Sequence, residues 1–98
     1  MTDMYVRQNE EIAYRIVDSE AIVLTPDDGM LHTLNAVGTR ILELADGKRK
    51  VSDIARYICE EFQIDQEACL ADTKHFIDDL VHKKMLLVSV RPLGTSLR

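Results

Sequence analysis

Tryptophan is absent from these 98 residues, and three Tyr and two Phe are all the aromatic side chains. An interior built from this chain is therefore aliphatic, and the 46% apolar content, largely Ile, Leu, Val and Ala, suffices for one packed core. Proline occurs twice and glycine four times, too thinly spread for a linker or a low-complexity tract. Cysteine also occurs only twice, at Cys59 and Cys69, a spacing that fits neither a zinc knuckle nor a disulfide scaffold and fits reduced thiols. No apolar run approaches the ~18 residues of a membrane span. Met1 to Arg7 holds no apolar signal core, so a cytoplasmic protein that does not enter a membrane is expected. Positive charge is scarce: twelve Lys and Arg face seventeen Asp and Glu, for a net charge of −5. A chain that depends on phosphate contacts has the opposite balance, so no nucleic-acid partner is expected. The length allows one domain and not two.

What is present has a clear order. Residues 11–18 alternate, with Ile12, Tyr14 and Ile16 on one face, and Ala21-Ile22-Val23-Leu24-Thr25 is β-branched and aliphatic. Pro26-Asp27-Asp28-Gly29 is a turn, because Pro presets a negative φ and Asp-Gly tolerates a positive one. Met30 to Leu34 supplies a third short strand. Tight connections make these three an antiparallel meander, whose apolar face needs a helical cover. Asn35 caps a first helix carrying Val37, Ile41, Leu42, Leu44 and Ala45, and Asp46-Gly47 stops it. Lys48-Arg49-Lys50 reads as a basic loop. Ser52 reads as the cap of a second helix, with Ile54, Ala55, Ile58 and Phe62 buried. Asp65 caps a third from Gln66 to Lys83, with Cys69, Leu70, Thr73, Phe76, Ile77, Leu80 and Val81 as its stripe. Met85 to Val90 is a short strand or an extended packing arm, and residues 91–98 are expected to be a mobile tail. The fold class is α+β, winged-helix-like, a three-stranded antiparallel meander followed by three helices. Residues 1–10 form an N-terminal segment, 11–90 the domain and 91–98 the tail.

Charge is uneven along this order. Residues 1–34 carry two basic and seven acidic side chains, and residues 35–84 carry eight and ten. The meander is therefore the most acidic region.

The sequence offers little to catalysis. No Gly-rich phosphate loop occurs. His75 and His82 share a helical face, but side chains two turns apart do not chelate one ion unaided, so no metal and no cofactor are expected. Cys59 and Cys69 sit at core spacing and read as buried structural thiols rather than nucleophiles. His32, between Met30 and Leu34, reads as a packed histidine. Three helices and a following strand fit a winged helix-turn-helix regulator as an alternative. The third helix speaks against it, with Asp65, Glu67, Asp72, Asp78 and Asp79 facing only Lys74, Lys83 and Lys84.

Leu34-Asn35-Ala36-Val37-Gly38-Thr39-Arg40-Ile41-Leu42-Glu43-Leu44 resembles the LN-x-x-G-x-x-I-W-x-L stretch of the PqqD-like proteins. Asp46-Gly47 followed by Val51-Ser52-Asp53-Ile54-Ala55 is similar to that family's DG…T-V-x-x-I helix start. Asp72-Thr73-Lys74-His75-Phe76-Ile77-Asp78-Asp79-Leu80 is similar to its D-V-x-x-F-L-x-x-L third helix. The likeness runs over roughly residues 11–88. It departs at Leu42, where Trp is usual, at Thr73, where Val is usual, and at Lys84, where Gly ends the third helix.

The resemblance implies a RiPP precursor recognition element, a peptide-binding module and not an enzyme. Such domains capture the leader of a ribosomally made precursor peptide and present it to a modifying enzyme. In pyrroloquinoline quinone (PQQ) biosynthesis that enzyme is a radical S-adenosylmethionine protein, and relatives serve lasso peptides. The leader would add as a strand beside the third strand, in a groove walled by the third helix. An edge strand offers unpaired N–H and C=O groups for this purpose. The expected peptide-binding residues are Met30, Leu31, His32, Thr33 and Leu34 by their backbone, and Asp72, His75, Phe76 and Asp79 as the wall, with Phe76 equally readable as core. The acidic field favours a leader with Lys or Arg beside its apolar anchors. The same edge could pair with a second copy of the chain.

Overall fold

A computed structural model describes residues 3–92. In chain order the elements are β1 (Tyr5–Gln8), β2 (Ala13–Val17), β3 (Glu20–Thr25), β4 (Met30–Leu34), α1 (Ala36–Leu44), β5 (Asp46–Lys50), α2 (Val51–Phe62), α3 (Gln66–His82) and β6 (Leu86–Ser89). The strands form two antiparallel sheets, ordered β2-β3-β4 and β5-β1-β6. The expected meander and its three helices are there, and the second sheet is an addition to them.

Two turns of different chemistry build the meander. Asp18 and Ser19 both take positive φ, 51° and 68°, the pattern of a two-residue hairpin whose twist matches its strands. The second turn needs glycine only at Gly29, where φ is 67°. There the Asp28 carboxylate accepts from the Met30 N–H at 3.0 Å and from the Thr25 hydroxyl. These donors, the Thr25 hydroxyl first, hold the Asp28 carboxyl below its ordinary range. Along β3, Ala21, Val23 and Thr25 are buried while Glu20, Ile22 and Leu24 are exposed. One face of the meander therefore meets the core.

Strand β1 joins two segments far along the chain. Tyr5 to Gln8 pairs with Leu86 to Ser89 on one side and, across a bulge after Val6, with Asp46 to Lys50 on the other. This corrects the reading of Lys48-Arg49-Lys50 as a loop. Their backbone is strand β5, while the cations turn away to aromatic rings: Lys50 Nζ lies 5.6 Å from the Tyr5 ring centre and the Arg49 guanidinium 5.4 Å from that of Tyr57. Residues 93–98, most of the expected tail, lie outside the described residues.

Helix capping follows the sequence at two of three starts. Asn35 Oδ1 accepts from the Gly38 N–H at 2.9 Å, and the Asp65 carboxylate from the Ala68 N–H at 3.4 Å. Ser52 is not the cap of α2. Lys50 occupies that position, its N–H donating to Asp53 Oδ2 at 3.1 Å. Ser52 lies in the first turn, where Asp3 accepts from its hydroxyl and, at 3.2 Å, from its N–H.

The end of α3 is strained. Lys84 N–H donates to the Val81 carbonyl at 3.0 Å and Met85 N–H to the Leu80 carbonyl at 2.9 Å, a Schellman closure that puts Lys84 at φ 65°. Met85 and Leu80, the apolar pair of that motif, are both fully buried. Lys84→Gly should relieve about 1 kcal/mol of backbone strain, less whatever the exposed Lys84–Asp27 ion pair contributes. The expected result is a thermal midpoint a few degrees higher, with Lys84→Ala unchanged or lower. A drop for the glycine variant would show the ion pair to outweigh the backbone.

The core is aliphatic as the composition requires. Val6 from one sheet and Ala21, Val23 and Leu34 from the other meet Ile41, Leu42, Ile54, Ile58, Ile77 and Leu80 from the helices. Among the described residues no helix is long and apolar enough to cross a membrane.

Candidate functional site

Strand β4 is an edge of its sheet, and the backbone geometry says which of its groups are free. The Asp18–Ser19 hairpin closes on a hydrogen-bonded Val17–Glu20 pair, so Glu20 aims its N–H and C=O at β2 and Ala21 aims them at β4. Two contacts agree. Ala21 N–H donates to Thr39 Oγ1 at 2.7 Å, and that hydroxyl donates to the Leu34 carbonyl at 3.2 Å. At the other end, the Thr25 carbonyl turns toward β4 and accepts from the Gly29 N–H at 2.9 Å. With Ala21 opposite Leu34, Val23 opposite His32 and Thr25 opposite Met30, these three β4 residues bond inward to β3. Leu31 and Thr33 therefore aim their N–H and C=O groups out of the sheet. Their side chains point to the outer face, where Leu31 is 68% exposed.

Helix α3 comes near both ends of this strand and runs in the opposite direction. Phe76 meets the Leu34 end: a Cβ built on Gly38 would lie 2.7 Å from its Cζ and 3.3 Å from the Leu34 Cβ. At the Met30 end, Lys84 Nζ is 3.1 Å from Asp27 Oδ2 in the β3–β4 turn. A cavity of about 200 Å³ opens at the Leu34 end, lined by Val37, Ile58, Ile64, Cys69, Thr73 and Phe76, with Asn35 and Asp72 as its other polar members. An engineered cavity of about 150 Å³ holds benzene, so there is room for one aromatic or branched aliphatic side chain.

The expected site residues separate on this geometry. Met30 to Leu34 form the edge, and Asp72 and Phe76 line the cavity. His75 is exposed and is not among the cavity residues, and Asp79 binds Lys83 Nζ at 3.1 Å. His32 is half-buried, its Nε2 3.3 Å from Thr25 Oγ1. Sequence reasoning assigned Val37 to the core and passed over Asn35, Gly38 and Ile64. The Asn-Ala-Val-Gly run held the signal, since a helical glycine facing an aromatic marks a close approach.

Cys59 and Cys69 are buried, and Cys69 Sγ lies 3.8 Å from both the Ala55 carbonyl and Thr73 Oγ1. Burial, with Cys69 as its neighbour, pushes the Cys59 thiol up to about 11. A raised thiol stabilises the fold fully below its ordinary value near 8.5, and that contribution is lost as pH rises toward 11. Thermal midpoints of wild type should fall across this window more steeply than those of Cys59→Ala. Parallel curves would place the thiol in contact with solvent. Among the described residues no group of three or more His, Cys, Asp or Glu is arranged to hold a metal.

The profile of coenzyme PQQ synthesis protein D (PqqD) matches residues 20–86, from the start of β3 to the start of β6. The chain belongs to the PqqD family. No curated protein sequence matches it. Among solved structures it is similar to TbiB1 in complex with the TbiA(β) leader peptide, at 27% identity over 92% of this chain and 98% of that one, TM-score 0.72. A lasso peptide synthetase B1 complexed with its leader peptide shares the fold, at 19% identity, 85% and 98% coverage and TM-score 0.72. So does the PqqD truncation of Methylobacterium extorquens PqqCD, a stand-alone RiPP recognition element, at 23% identity, 84% and 87% coverage and TM-score 0.66.

The PqqD-family motifs now have physical roles. Asn35 caps α1, Gly38 makes room for Phe76, and Asp72 stands at the cavity. Leu42, at the usual Trp position, is fully buried, and Thr73, at the usual Val, is buried with its hydroxyl beside Cys69 Sγ.

Proposed function

We propose that this PqqD-family chain captures the leader segment of a ribosomally made precursor peptide by strand addition and presents it to a separate modifying enzyme. The observation that carries this reading is the outward aim of Leu31 and Thr33 at an open edge beside an apolar cavity. Main-chain pairing along Met30 to Leu34 supplies sequence-tolerant affinity, and the cavity selects a side chain. Asp72 and Phe76 wall the groove at its deep end, with His75 and Asp79 above it. Family membership and the leader complexes of similar structures support the same assignment. The chain itself needs no cofactor for this work and acts in the cytoplasm. Its enzyme partner is a radical S-adenosylmethionine protein or another enzyme of modified-peptide synthesis, as in PQQ or lasso peptide pathways. A second copy pairing through β4 would use the same groups, so saturating peptide would dissociate such a dimer.

The winged-helix alternative asks α3 to approach phosphates, yet its exposed residues include Glu67, Asp72, Asp78 and Asp79. Amide-resolved titration with the leader segment of a candidate precursor peptide, and separately with duplex DNA, tests both readings. Micromolar affinity, about −8 kcal/mol, is expected, with resonance shifts concentrated in β4 and the facing side of α3. Duplex DNA should cause none near physiological salt. Shifts elsewhere, or submicromolar salt-sensitive binding to a duplex, would refute leader capture.

A further inference from the structure

The groove has a direction, written in the position of one carboxylate. Along α3, Asp79 is bound to Lys83 and at the Met30 end Asp27 is bound to Lys84. Asp72, at the cavity, makes no ion pair or hydrogen bond with a side chain among the described residues. It stands one helical turn before Phe76, on the same face.

A strand added beside β4 bonds to Leu31 and Thr33, so its residues opposite Leu34 and His32 turn their side chains inward. Inward positions recur every two residues, about 6.8 Å along a strand, while Phe76 and Asp72 are separated by about 6 Å of helix rise. The inward side chain opposite Leu34 therefore meets Phe76, and the one a further step away from His32, past the end of β4, meets Asp72. An antiparallel partner, the more stable pairing, runs from the Leu34 end to the Met30 end. The inward residue that meets Asp72 then lies two positions before the one in the cavity.

Resting on the leader-capture reading, we propose that Asp72 is a specificity-determining residue that selects a strand with Lys or Arg two positions N-terminal to its apolar anchor. The cation tip reaches the carboxylate while its aliphatic stem covers the cavity rim. A peptide threaded in the opposite direction places its cation toward the Met30 end, where the carboxylates of Asp79 and Asp27 are already bound to Lys83 and Lys84. One carboxylate thereby fixes both the charge and the polarity of the captured segment.

The test uses two blocked ten-residue peptides of identical composition, a Thr- and Ser-rich strand with one Phe anchor. They differ only in whether the single Lys lies two residues before or two residues after the Phe. A third peptide carries Glu before the Phe. Affinities are read by anisotropy against wild type, Asp72→Asn and Asp72→Lys, with melts to verify folding. Wild type should prefer the Lys-before peptide about three- to fivefold, a margin lost at 1 M salt. Asp72→Asn should abolish the preference, and Asp72→Lys should transfer it to the Glu peptide. Equal affinities in wild type, with Leu31 and Thr33 amide resonances still shifting, would overturn the role of Asp72 and leave leader capture standing. A preference that survives in Asp72→Asn would do the same, and no shift with any of the three peptides would overturn both.

Discussion

Thr33→Pro should leave the domain folded and weaken leader capture by about ten- to a hundredfold, while His32→Pro should damage the sheet itself. Proline removes one N–H, and on β4 the consequence depends on where that N–H aims. The Thr33 N–H aims out of the sheet, so its loss removes a bond only when a peptide is bound. One central pairing and its neighbours correspond to about 1–3 kcal/mol. The His32 N–H aims at Val23, a residue with no exposed surface, and losing that rung leaves a buried carbonyl without its donor. About 1–3 kcal/mol of stability should go with it, or about 5–20 °C in thermal midpoint for a domain of this size. His32→Ala separates the rung from the imidazole, since it keeps the N–H and loses only the contact with Thr25. Peptide titration beside thermal melts reads all three. If Thr33→Pro melts early while His32→Pro does not, the assignment of outward groups is inverted.

Gly38→Ala should weaken capture more than it weakens the fold. Alanine favours a helix interior over glycine by about 1 kcal/mol. Against this, its Cβ would lie 2.7 Å from Phe76 Cζ and 3.0 Å from Cε1, closer than carbon atoms approach. Overpacking of this kind costs about 1–3 kcal/mol, so the net loss of stability should be about 0–2 kcal/mol. The ring moves rather than the helix, and the side open to it is the cavity. A displaced ring fills the space meant for the leader anchor, and about a tenfold loss of affinity is expected. Phe76→Leu in the Gly38→Ala background should restore part of it by shortening the side chain. Unchanged affinity in Gly38→Ala would show that the anchor does not use this cavity.

The meander was legible because its turns carry their own chemistry, Pro26 to Gly29 above all. The helices were legible because Asn35 and Asp65 are caps and the apolar residues repeat at helical spacing. Strand β5 was not, since Asp-Gly and Lys-Arg-Lys are loop residues by any local rule. They become a strand because Tyr5 and Val6, more than forty residues earlier, offer them a ladder. Strand β1 is four residues with no apolar alternation to speak of, and it exists through partners at both ends of the helical region. Ser52 misled for a related reason: the group that serves the start of α2 from outside is Asp3, which local sequence cannot place. In the candidate site, Met30 to Leu34 were readable as a strand and Phe76 from the helical stripe, while Asp72 lies off that stripe and entered only as a candidate for the wall. Which of the strand residues face outward was not, because that parity depends on where Asp18 and Ser19 put the hairpin.

The hydroxyl of Thr39 has a further consequence for the captured strand. It sits between the Ala21 N–H and the Leu34 carbonyl, accepting from the first and donating to the second. A slip of β4 by one residue would exchange every inward group for an outward one. It would also present Thr39 with the wrong backbone atoms and strand a buried polar contact. The first helix thus holds the edge strand in phase, as a pin holds a rack, and the frame in which a peptide is read is fixed before the peptide arrives.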